Sequence, residues 1–190
     1  TNGVCVRRDT VLITVSQNVV ANAGSDVQVC TSTGTGALSA NSPAPGTGVW
    51  SALNGGAIAD ANSNTTTVSG LNVAGTYNFV WTITNGACVS RDTVALIVRA
   101  PVVANAGVDQ TVCAATTATL TGNNPLPGTS LWSSLGTAAV TSPAALTTTV
   151  TALTTGNNSF VYTITYGACI SKDTVIVHVD ASVTASAGPD

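Results

Sequence analysis

The fold follows from a stretch of 15 residues, Thr84-Asn-Gly-Ala-Cys-Val-Ser-Arg-Asp-Thr-Val-Ala-Leu-Ile-Val98. Two similar stretches, 1–15 and 165–179, lie at offsets of 83 and 81 residues from it. An Ala-Gly-x-Asp signature follows each stretch. A repeat of about 82 residues is too long for one coil of a solenoid and suits a small sandwich of about seven strands.

The composition indicates an all-β chain. The sequence is 44% hydrophobic but only 4% aromatic and 7% charged, and Val, Ile and Thr are frequent. These β-branched residues favour strands over helices. Apolar side chains also alternate, as in Tyr77, Phe79, Trp81 and Ile83, which share one face of a predicted strand. This regular alternation distinguishes the chain from a disordered one.

The repeats define the expected domain organisation. The expected segments are 1–17, the C-terminal strands of a preceding repeat; 18–100 and 101–181, two complete repeats; and 182–190, the start of the next repeat. Almost no linker separates the complete repeats, because one ends near Arg99, the next begins by Val102, and Pro101 stiffens the connection. We therefore predict a stiff head-to-tail rod that belongs to a longer array.

Each repeat has a predicted core and hairpin. The first strands are predicted at 19–30 and 102–113, and Asn85-Gly86 indicates an antiparallel hairpin between the sixth and seventh strands of the first repeat. The expected core aromatic residues are Trp50, Phe79 and Trp81 in one repeat and Trp132, Phe160 and Tyr162 in the other.

Several motifs carry a resemblance to a known family. They are Ala104-Asn-Ala-Gly-Val-Asp-Gln-Thr-Val-Cys113, Ala118-Thr-Leu-Thr-Gly122, Leu131-Trp-Ser133 and the Asn-Gly-Ala-Cys turn. The sequence resembles the PKD-like or immunoglobulin-like tandem repeats of giant cell-surface adhesins of Bacteroidota, such as gliding-motility adhesins of the SprB type and other type IX secretion cargo. The resemblance implies a secreted, surface-anchored array. Neither Trp50 nor Trp132 begins the Trp-Asp-Phe-Gly-Asp-Gly stretch of PKD repeats, so "immunoglobulin-like" is the better description.

The cysteines are expected to form disulfides, as is usual in a secreted β chain. Pairing within each repeat would join Cys30 to Cys88 and Cys113 to Cys169. In an immunoglobulin-type sandwich, however, the turns that carry these cysteines lie at opposite ends. In a head-to-tail rod the same turns of successive repeats face each other. This favours an inter-domain disulfide, Cys30–Cys169, and leaves Cys5, Cys88 and Cys113 to partners outside the chain. Reduced thiols are the third alternative.

The repeated Asp-Thr-Val pattern resembles the O-glycosylation sites of Bacteroidota. The resemblance implies glycans on Thr10, Thr93 and Thr174. The alternative is an ordinary strand start that recurs with the repeat. A second pattern, Asp60-Ala-Asn-Ser-Asn64, places oxygen ligands at alternate positions, but it lacks the Gly and bidentate Glu of a calcium loop, so a solvated turn is favoured.

The sequence offers little for catalysis. The single histidine, His178, has no second titratable partner, and no nucleophile motif, phosphate loop or pair of carboxylates is present. We expect no enzyme activity, cofactor or metal site. A net charge of −3 gives no basic patch for nucleic acid, and no apolar stretch is long enough to span a membrane.

The leading functional hypothesis is a structural stalk segment of an extracellular, cell-surface adhesin or surface filament. Its expected partners are neighbouring repeats of the same chain, with surface glycans or other adhesin chains as further candidates. One alternative is a glycan-binding immunoglobulin-like module, although the turns are rich in Gly, Ser, Ala and Asn and poor in aromatic residues for sugar stacking. Another alternative is a set of accessory domains of an exported hydrolase.

Overall fold

The protein is all-β and contains two successive β-sandwiches. The structure is a computed structural model that describes residue 3, residues 7–186 and residue 188. These residues form 14 strands and no helix. The prediction of an all-β immunoglobulin-like fold with seven strands in each repeat is confirmed.

The first sandwich contains two sheets. Its strands are β1 (Val27–Cys30), β2 (Thr35–Ser39), β3 (Thr47–Ala52), β4 (Ala57–Ile58), β5 (Thr65–Ser69), β6 (Gly75–Asn85) and β7 (Cys88–Arg99). One sheet has the order β1-β7-β6-β3 and the other has the order β2-β5-β4. The pair β1 and β7 is parallel, whereas every other pair is antiparallel.

The second sandwich repeats this arrangement. Its strands are β8 (Gln110–Cys113), β9 (Ala118–Thr121), β10 (Thr129–Ser134), β11 (Ala139–Val140), β12 (Thr147–Thr151), β13 (Gly156–Tyr166) and β14 (Cys169–Asp180). The sheet orders are β8-β14-β13-β10 and β9-β12-β11, again with a parallel pair between the first and last strands. Corresponding strands therefore occupy corresponding places.

Each sandwich has its own hydrophobic core. All six aromatic residues predicted for the cores are at most 2% exposed. Trp50 packs on Trp81 with ring centroids 5.0 Å apart. Trp132 packs on Tyr162 at 4.6 Å. Alternation along the central strands places these rings between the sheets.

Tyr162 makes a contact that depends on a neighbouring glycine. Its buried hydroxyl donates a 2.7 Å hydrogen bond to the carbonyl oxygen of Asn123. A Cβ atom on Gly122 would lie 2.5 Å from the Tyr162 ring, closer than van der Waals contact. The ring can thus reach Asn123 only because residue 122 has no side chain.

The two long strands of each sandwich are joined by a two-residue turn. Asn85 pairs directly with Cys88, so the turn consists of Gly86 and Ala87 rather than of Asn85 and Gly86. Gly86 has φ +59°, a left-handed conformation that glycine adopts without a steric penalty. The hairpin is present as predicted, one residue later than the Asn-Gly pair suggested.

The first strands are shorter than the predicted 19–30 and 102–113. The backbone of the residues before them donates hydrogen bonds to side chains instead of pairing with the backbone of a neighbouring strand. The Ala21 N–H donates to Ser90 Oγ at 2.9 Å, and the Ala23 N–H donates to Asp92 Oδ2 at 2.8 Å. Asp26 Oδ1 in turn accepts from the Ala95 N–H at 2.8 Å. We call these three bonds the aspartate latch.

The second sandwich has the same latch. The Ala104 N–H donates to Ser171 Oγ at 2.9 Å and the Ala106 N–H to Asp173 Oδ2 at 2.8 Å. Asp109 Oδ1 accepts from the Ile176 N–H at 2.8 Å. The aspartates of the Ala-Gly-x-Asp and Asp-Thr-Val motifs therefore attach the start of each repeat to its own last strand.

The expected strands within 1–17 are not found in the part of this segment that the structure describes. Residues 7–17 form no strand, and Val11, Ile13 and Val15 are 78–89% exposed. A strand requires a hydrogen-bonded neighbour, and no described residue forms a strand pair with 7–17. Residues 182–186 also form no strand.

Candidate functional site

A disulfide joins the two sandwiches. Cys30, at the end of β1, bonds to Cys169, at the start of β14, with an S–S distance of 2.01 Å and a Cα–Cα distance of 5.0 Å. Both cysteines are buried, at 5% and 2% exposure. This is the inter-domain pairing that the sequence favoured.

The alternative pairings Cys30–Cys88 and Cys113–Cys169 are not formed. Cys30 pairs with Arg99 at one end of β7, whereas Cys88 begins the same 12-residue strand at its other end. At a rise of about 3.3 Å per residue these ends are about 35 Å apart, far beyond the reach of a disulfide. Cys88 is half-buried and Cys113 is exposed, both as free thiols. Cys5 lies outside the described residues.

Arg99 connects the sandwiches through both its backbone and its side chain. Its carbonyl oxygen accepts from the Thr31 N–H at 2.8 Å and lies 3.1 Å from Cys169 Sγ. Its Nη1 donates a 2.7 Å hydrogen bond to the Tyr166 hydroxyl. The carbon Cζ lies 4.9 Å from the centroid of the Tyr166 ring, within the range of a cation–π contact.

The tip of the second hairpin sits against the end of the first sandwich. An added Cβ on Gly167 would meet the Gln28 side chain, and it would lie 3.3 Å from Arg99 Cγ. Gly167 also has φ +60°, like its counterpart Gly86. We call the set of Gln28, Cys30, Arg99, Tyr166, Gly167 and Cys169 the joint. The sequence predicted its disulfide but not the contact between Arg99 and Tyr166.

A cavity of about 520 Å³ lies beside the joint. Its lining includes Thr76, Ile97, Pro101, Pro127 and Tyr166 and contains no carboxylate, imidazole or thiol. Its surface is mainly apolar, and its two functional polar side chains, Arg99 and Tyr166, bond to each other across the joint. The cavity lies between the facing ends of the two sandwiches, next to the residues of the joint.

The segment that precedes β1 contacts the first hairpin in a similar way, through Ser16 and Gln17. The Asn85 side-chain amide donates to the carbonyl oxygen of Gln17 at 2.8 Å. Cys88 Sγ lies 3.9 Å from the carbonyl oxygen of Ser16. Ser16 and Asn85 correspond to Arg99 and Tyr166 in the repeat alignment.

The three threonines of the Asp-Thr-Val pattern, Thr10, Thr93 and Thr174, are all exposed. Their exposure leaves the three hydroxyl groups accessible to modification. Asp92 and Asp173 accept backbone hydrogen bonds in the latch. The aspartate of the pattern thus has a structural role in both complete repeats.

The remaining candidates use their polar atoms locally. Asp60 Oδ1 accepts from the Asn62 N–H at 2.9 Å, and the Asn64 side chain donates to the Ala40 carbonyl at 3.1 Å. The expectation that His178 has no titratable partner is wrong, because its Nε2 lies 3.3 Å from Asp180 Oδ1. Its Nδ1 lies 2.6 Å from Asn157 Oδ1. In the described part of the chain, no three His, Cys, Asp or Glu residues cluster as metal ligands would. Nor do these residues include a helix that could cross a membrane.

No protein-family model matches the chain, and no curated protein matches it. Several solved structures are similar to it. The PKD domain from the KIAA 1837 protein is 23% identical with a TM-score of 0.39, over 45% of this chain and 92% of that domain. Extracellular domains 3–5 of Drosophila OTK are 12% identical with a TM-score of 0.49, over 87% of this chain and 62% of that fragment.

Other similar structures belong to quite different proteins. The fragment of titin domains I67–I69 is 15% identical with a TM-score of 0.42, over 84% of this chain and 64% of the fragment. The endo-fucoidan hydrolase MfFcnA9 is 14% identical with a TM-score of 0.38, over 86% of this chain and 35% of the enzyme. At these identities the similarity concerns the sandwich fold alone.

Proposed function

We propose that this chain is a spacer segment in the stalk of a secreted cell-surface adhesin or surface filament. Tandem repeats of this kind hold a distal binding part away from the cell. The observation that carries the proposal is the disulfide between successive sandwiches, Cys30–Cys169. This bond connects the first sandwich to the second, and it does not cross the core of either one. A disulfide also fits an oxidising, extracellular compartment.

The joint restricts the relative motion of the sandwiches. Two covalent connections pass between them, the chain after Arg99 and the disulfide from Cys30, and they leave from neighbouring strands β7 and β1. Two adjacent connections oppose twisting but still allow a hinge about the line between them. The contacts of Arg99 with Tyr166, and of Gln28 with the hairpin tip, act against that hinge.

The disulfide also changes the path of a pulling force. Tension applied to the two ends of the chain passes directly from Cys30 to Cys169 and does not load the residues between them. The bond spans a sequence separation of 139 residues, which would extend to about 490 Å at ~3.5 Å per residue. A stalk joined in this way keeps its length even when a sandwich unfolds.

Single-molecule pulling on the two ends of the chain tests this proposal. We expect the oxidised chain to lengthen by about 490 Å less than the Cys30→Ser variant when both sandwiches unfold. Cys88→Ser is the matched control, because Cys88 forms no disulfide in the structure. This variant should behave like the unchanged chain. Equal lengthening of the oxidised chain and Cys30→Ser would contradict a load-bearing role for the disulfide.

One surface feature favours a glycan-binding module as the second candidate. A groove of about 340 Å³ in the second sandwich is lined by hydroxyl and amide side chains, including Ser134, Thr154, Asn157 and Ser159. No aromatic residue lines it. A glycan array with the oxidised chain distinguishes the two proposals, since specific binding at micromolar strength would favour a binding module over a spacer.

A further inference from the structure

We infer that Cys113 and Cys88 are halves of two further inter-repeat disulfides, built like Cys30–Cys169. Cys113 pairs with the cysteine that begins the last strand of the following repeat. Cys88 pairs with the cysteine that ends the first strand of the preceding repeat. This inference rests on the proposed role of the chain as part of a tandem array, and it deepens that role by making every joint covalent.

The surroundings of Cys113 reproduce those of Cys30. Cys113 ends β8 and pairs with Asp180 on β14, as Cys30 ends β1 and pairs with Arg99. The residue after each cysteine donates its N–H to the carbonyl of that partner, at 2.9 Å for Asp180 and 2.8 Å for Arg99. The difference lies in exposure, because Cys169 covers Cys30 while Cys113 is exposed. Cys113 thus has the backbone surroundings of Cys30, but no cysteine is bonded to it.

The surroundings of Cys88 reproduce those of Cys169. Each cysteine begins the last strand of its sandwich directly after the hairpin turn. Cys169 Sγ lies 3.1 Å from the Arg99 carbonyl, and Cys88 Sγ lies 3.9 Å from the Ser16 carbonyl. Ser16 corresponds to Arg99 at the offset of 83 residues. The segment before the first sandwich therefore approaches Cys88 as the end of a preceding repeat would.

Cys88 and Cys113 cannot form a disulfide with each other within one chain. Cys88 lies at the hairpin end of the first sandwich, and Cys113 lies at the far end of the second, beside the last residue of β14. The two 12-residue strands β7 and β14 lie between these ends. A disulfide needs Cα atoms within about 7 Å.

Each new bond forms by thiol–disulfide exchange. The two cysteines lose two protons and two electrons in total, and a low-molecular-weight disulfide such as oxidised glutathione accepts them and becomes two thiols. One S–S bond is formed in the protein for each S–S bond broken in the oxidant. The same exchange forms Cys30–Cys169, so both joints can be followed in one reaction.

A chain extended by one repeat tests the assignment of Cys113. A copy of residues 101–181 is placed directly after Ala181, so that the copied Cys169 comes opposite Cys113, as Cys169 lies opposite Cys30. In a second version Asp180 is replaced by Arg, which restores the Arg99-type contact to the copied Tyr166. Both versions are refolded with reduced and oxidised glutathione, and their disulfides are mapped by peptide mass spectrometry without reduction.

Ile170→Val in the copied repeat, at a position that is 63% exposed, makes the copied Cys169 peptide lighter by one methylene than the original. The expected result is a peptide that joins Cys113 to this lighter Cys169 peptide, together with the unmarked Cys30–Cys169 peptide. Alkylation of Cys113, complete in the original chain, should be lost in the extended one, and Cys113→Ser should return the copied Cys169 to the thiol form. An alkylated Cys113 in molecules that contain Cys30–Cys169 would overturn the inference. That outcome leaves the spacer proposal standing, because the pulling experiment concerns only Cys30–Cys169.

The matching extension tests Cys88. Residues 18–83 are placed before Thr1, which completes a repeat because Thr1 corresponds to Thr84. Val27→Ile in the copied segment marks its Cys30 peptide by one methylene, at a position that is 40% exposed. The marked Cys30 should then pair with Cys88 in the same peptide map. A free Cys88 beside an intact Cys30–Cys169 bond would overturn that half of the inference.

Discussion

Arg99 and Tyr166 interact across the joint in two ways at once. The Arg99 guanidinium donates a 2.7 Å hydrogen bond to the Tyr166 hydroxyl, while its Cζ lies 4.9 Å from the centroid of the same ring. Both side chains are half-buried, so solvent screens this contact only in part. The pair connects the two sandwiches and lies outside both cores, so we expect it to restrain their relative orientation more than it stabilises either core.

Arg99→Met should loosen the joint in the reduced protein. The substitution keeps an unbranched side chain and removes the hydrogen bond and the cation–π contact. We expect the two sandwiches to tumble more independently, with a shorter rotational correlation time for each in ¹⁵N relaxation. Arg91→Met is the matched control, because Arg91 is an exposed arginine on the same strand. Equal effects of the two variants would show that the contact to Tyr166 does not restrain the joint.

Removing the inter-sandwich disulfide should destabilise the pair of sandwiches. The bond closes a loop with a sequence separation of 139 residues, so the loop-entropy estimate for a fully unfolded chain is about 5 kcal/mol. We expect Cys30→Ser/Cys169→Ser to lower the free energy of unfolding in urea by up to about 5 kcal/mol when both sandwiches unfold together. Each half should still unfold cooperatively, because each has its own core. Cys88→Ser/Cys113→Ser, measured in parallel, should leave the midpoint unchanged.

The aspartate latch gives a third prediction. Asp92→Ala removes the acceptor of the Ala23 N–H and leaves that part-buried donor unpaired. Loss of a hydrogen bond to a charged group costs roughly 1.5–3 kcal/mol, and partial exposure of Asp92 places the expected loss toward the lower value. Hydrogen exchange at the Ala23 amide should accelerate with the loss of stability. Asp60→Ala is the control, because Asp60 is exposed and its carboxylate accepts only the N–H of Asn62, two residues away. A stable Asp92→Ala variant with a protected Ala23 amide would contradict the latch.

The latch also separates the structural role of the Asp-Thr-Val pattern from glycosylation. Thr93 itself is exposed and takes no part in the latch, so Thr93→Val should leave the stability of unmodified protein unchanged. If the threonine carries a glycan, mass spectrometry of native material should find sugar mass on the peptide that contains Thr93. A bare peptide from native material would leave the latch as the only role of the pattern.

The sequence determined the main features of the fold because they depend on periodicity. Alternation placed Phe79 and Trp81 in the core, and the repeat offset placed Trp132 in the position of Trp50. The favoured disulfide followed from topology, since turns at opposite ends of one sandwich can meet only through its neighbour. These are properties of whole strands, and a strand pattern is visible in sequence.

Features that depend on single side-chain contacts were not predictable in this way. The latch uses Asp92 and Ser90 as acceptors for a distant segment, and nothing in a strand pattern indicates which backbone N–H they accept from. Alternation alone extended the first strand from Val27 back to residue 19, although those residues bond to side chains. Arg99 and Tyr166 could have been suspected only because both lie near the cysteines of the joint, at positions where the repeats differ.

The last prediction concerns the space beneath Tyr162. A Cβ on Gly122 would lie 2.5 Å from the Tyr162 ring, so Gly122→Ala must displace a buried ring and break its 2.7 Å hydrogen bond to Asn123. Overpacking of this kind costs roughly 1–3 kcal/mol, measurable as a lower urea midpoint for the second sandwich. Gly136→Ala is the matched control, because no heavy atom lies within 4 Å of the added Cβ. Adding Tyr162→Phe should recover little of the loss, since the phenyl ring occupies the same space. Recovery of full stability in that double variant would show that the hydroxyl, rather than the ring, sets the limit on residue 122.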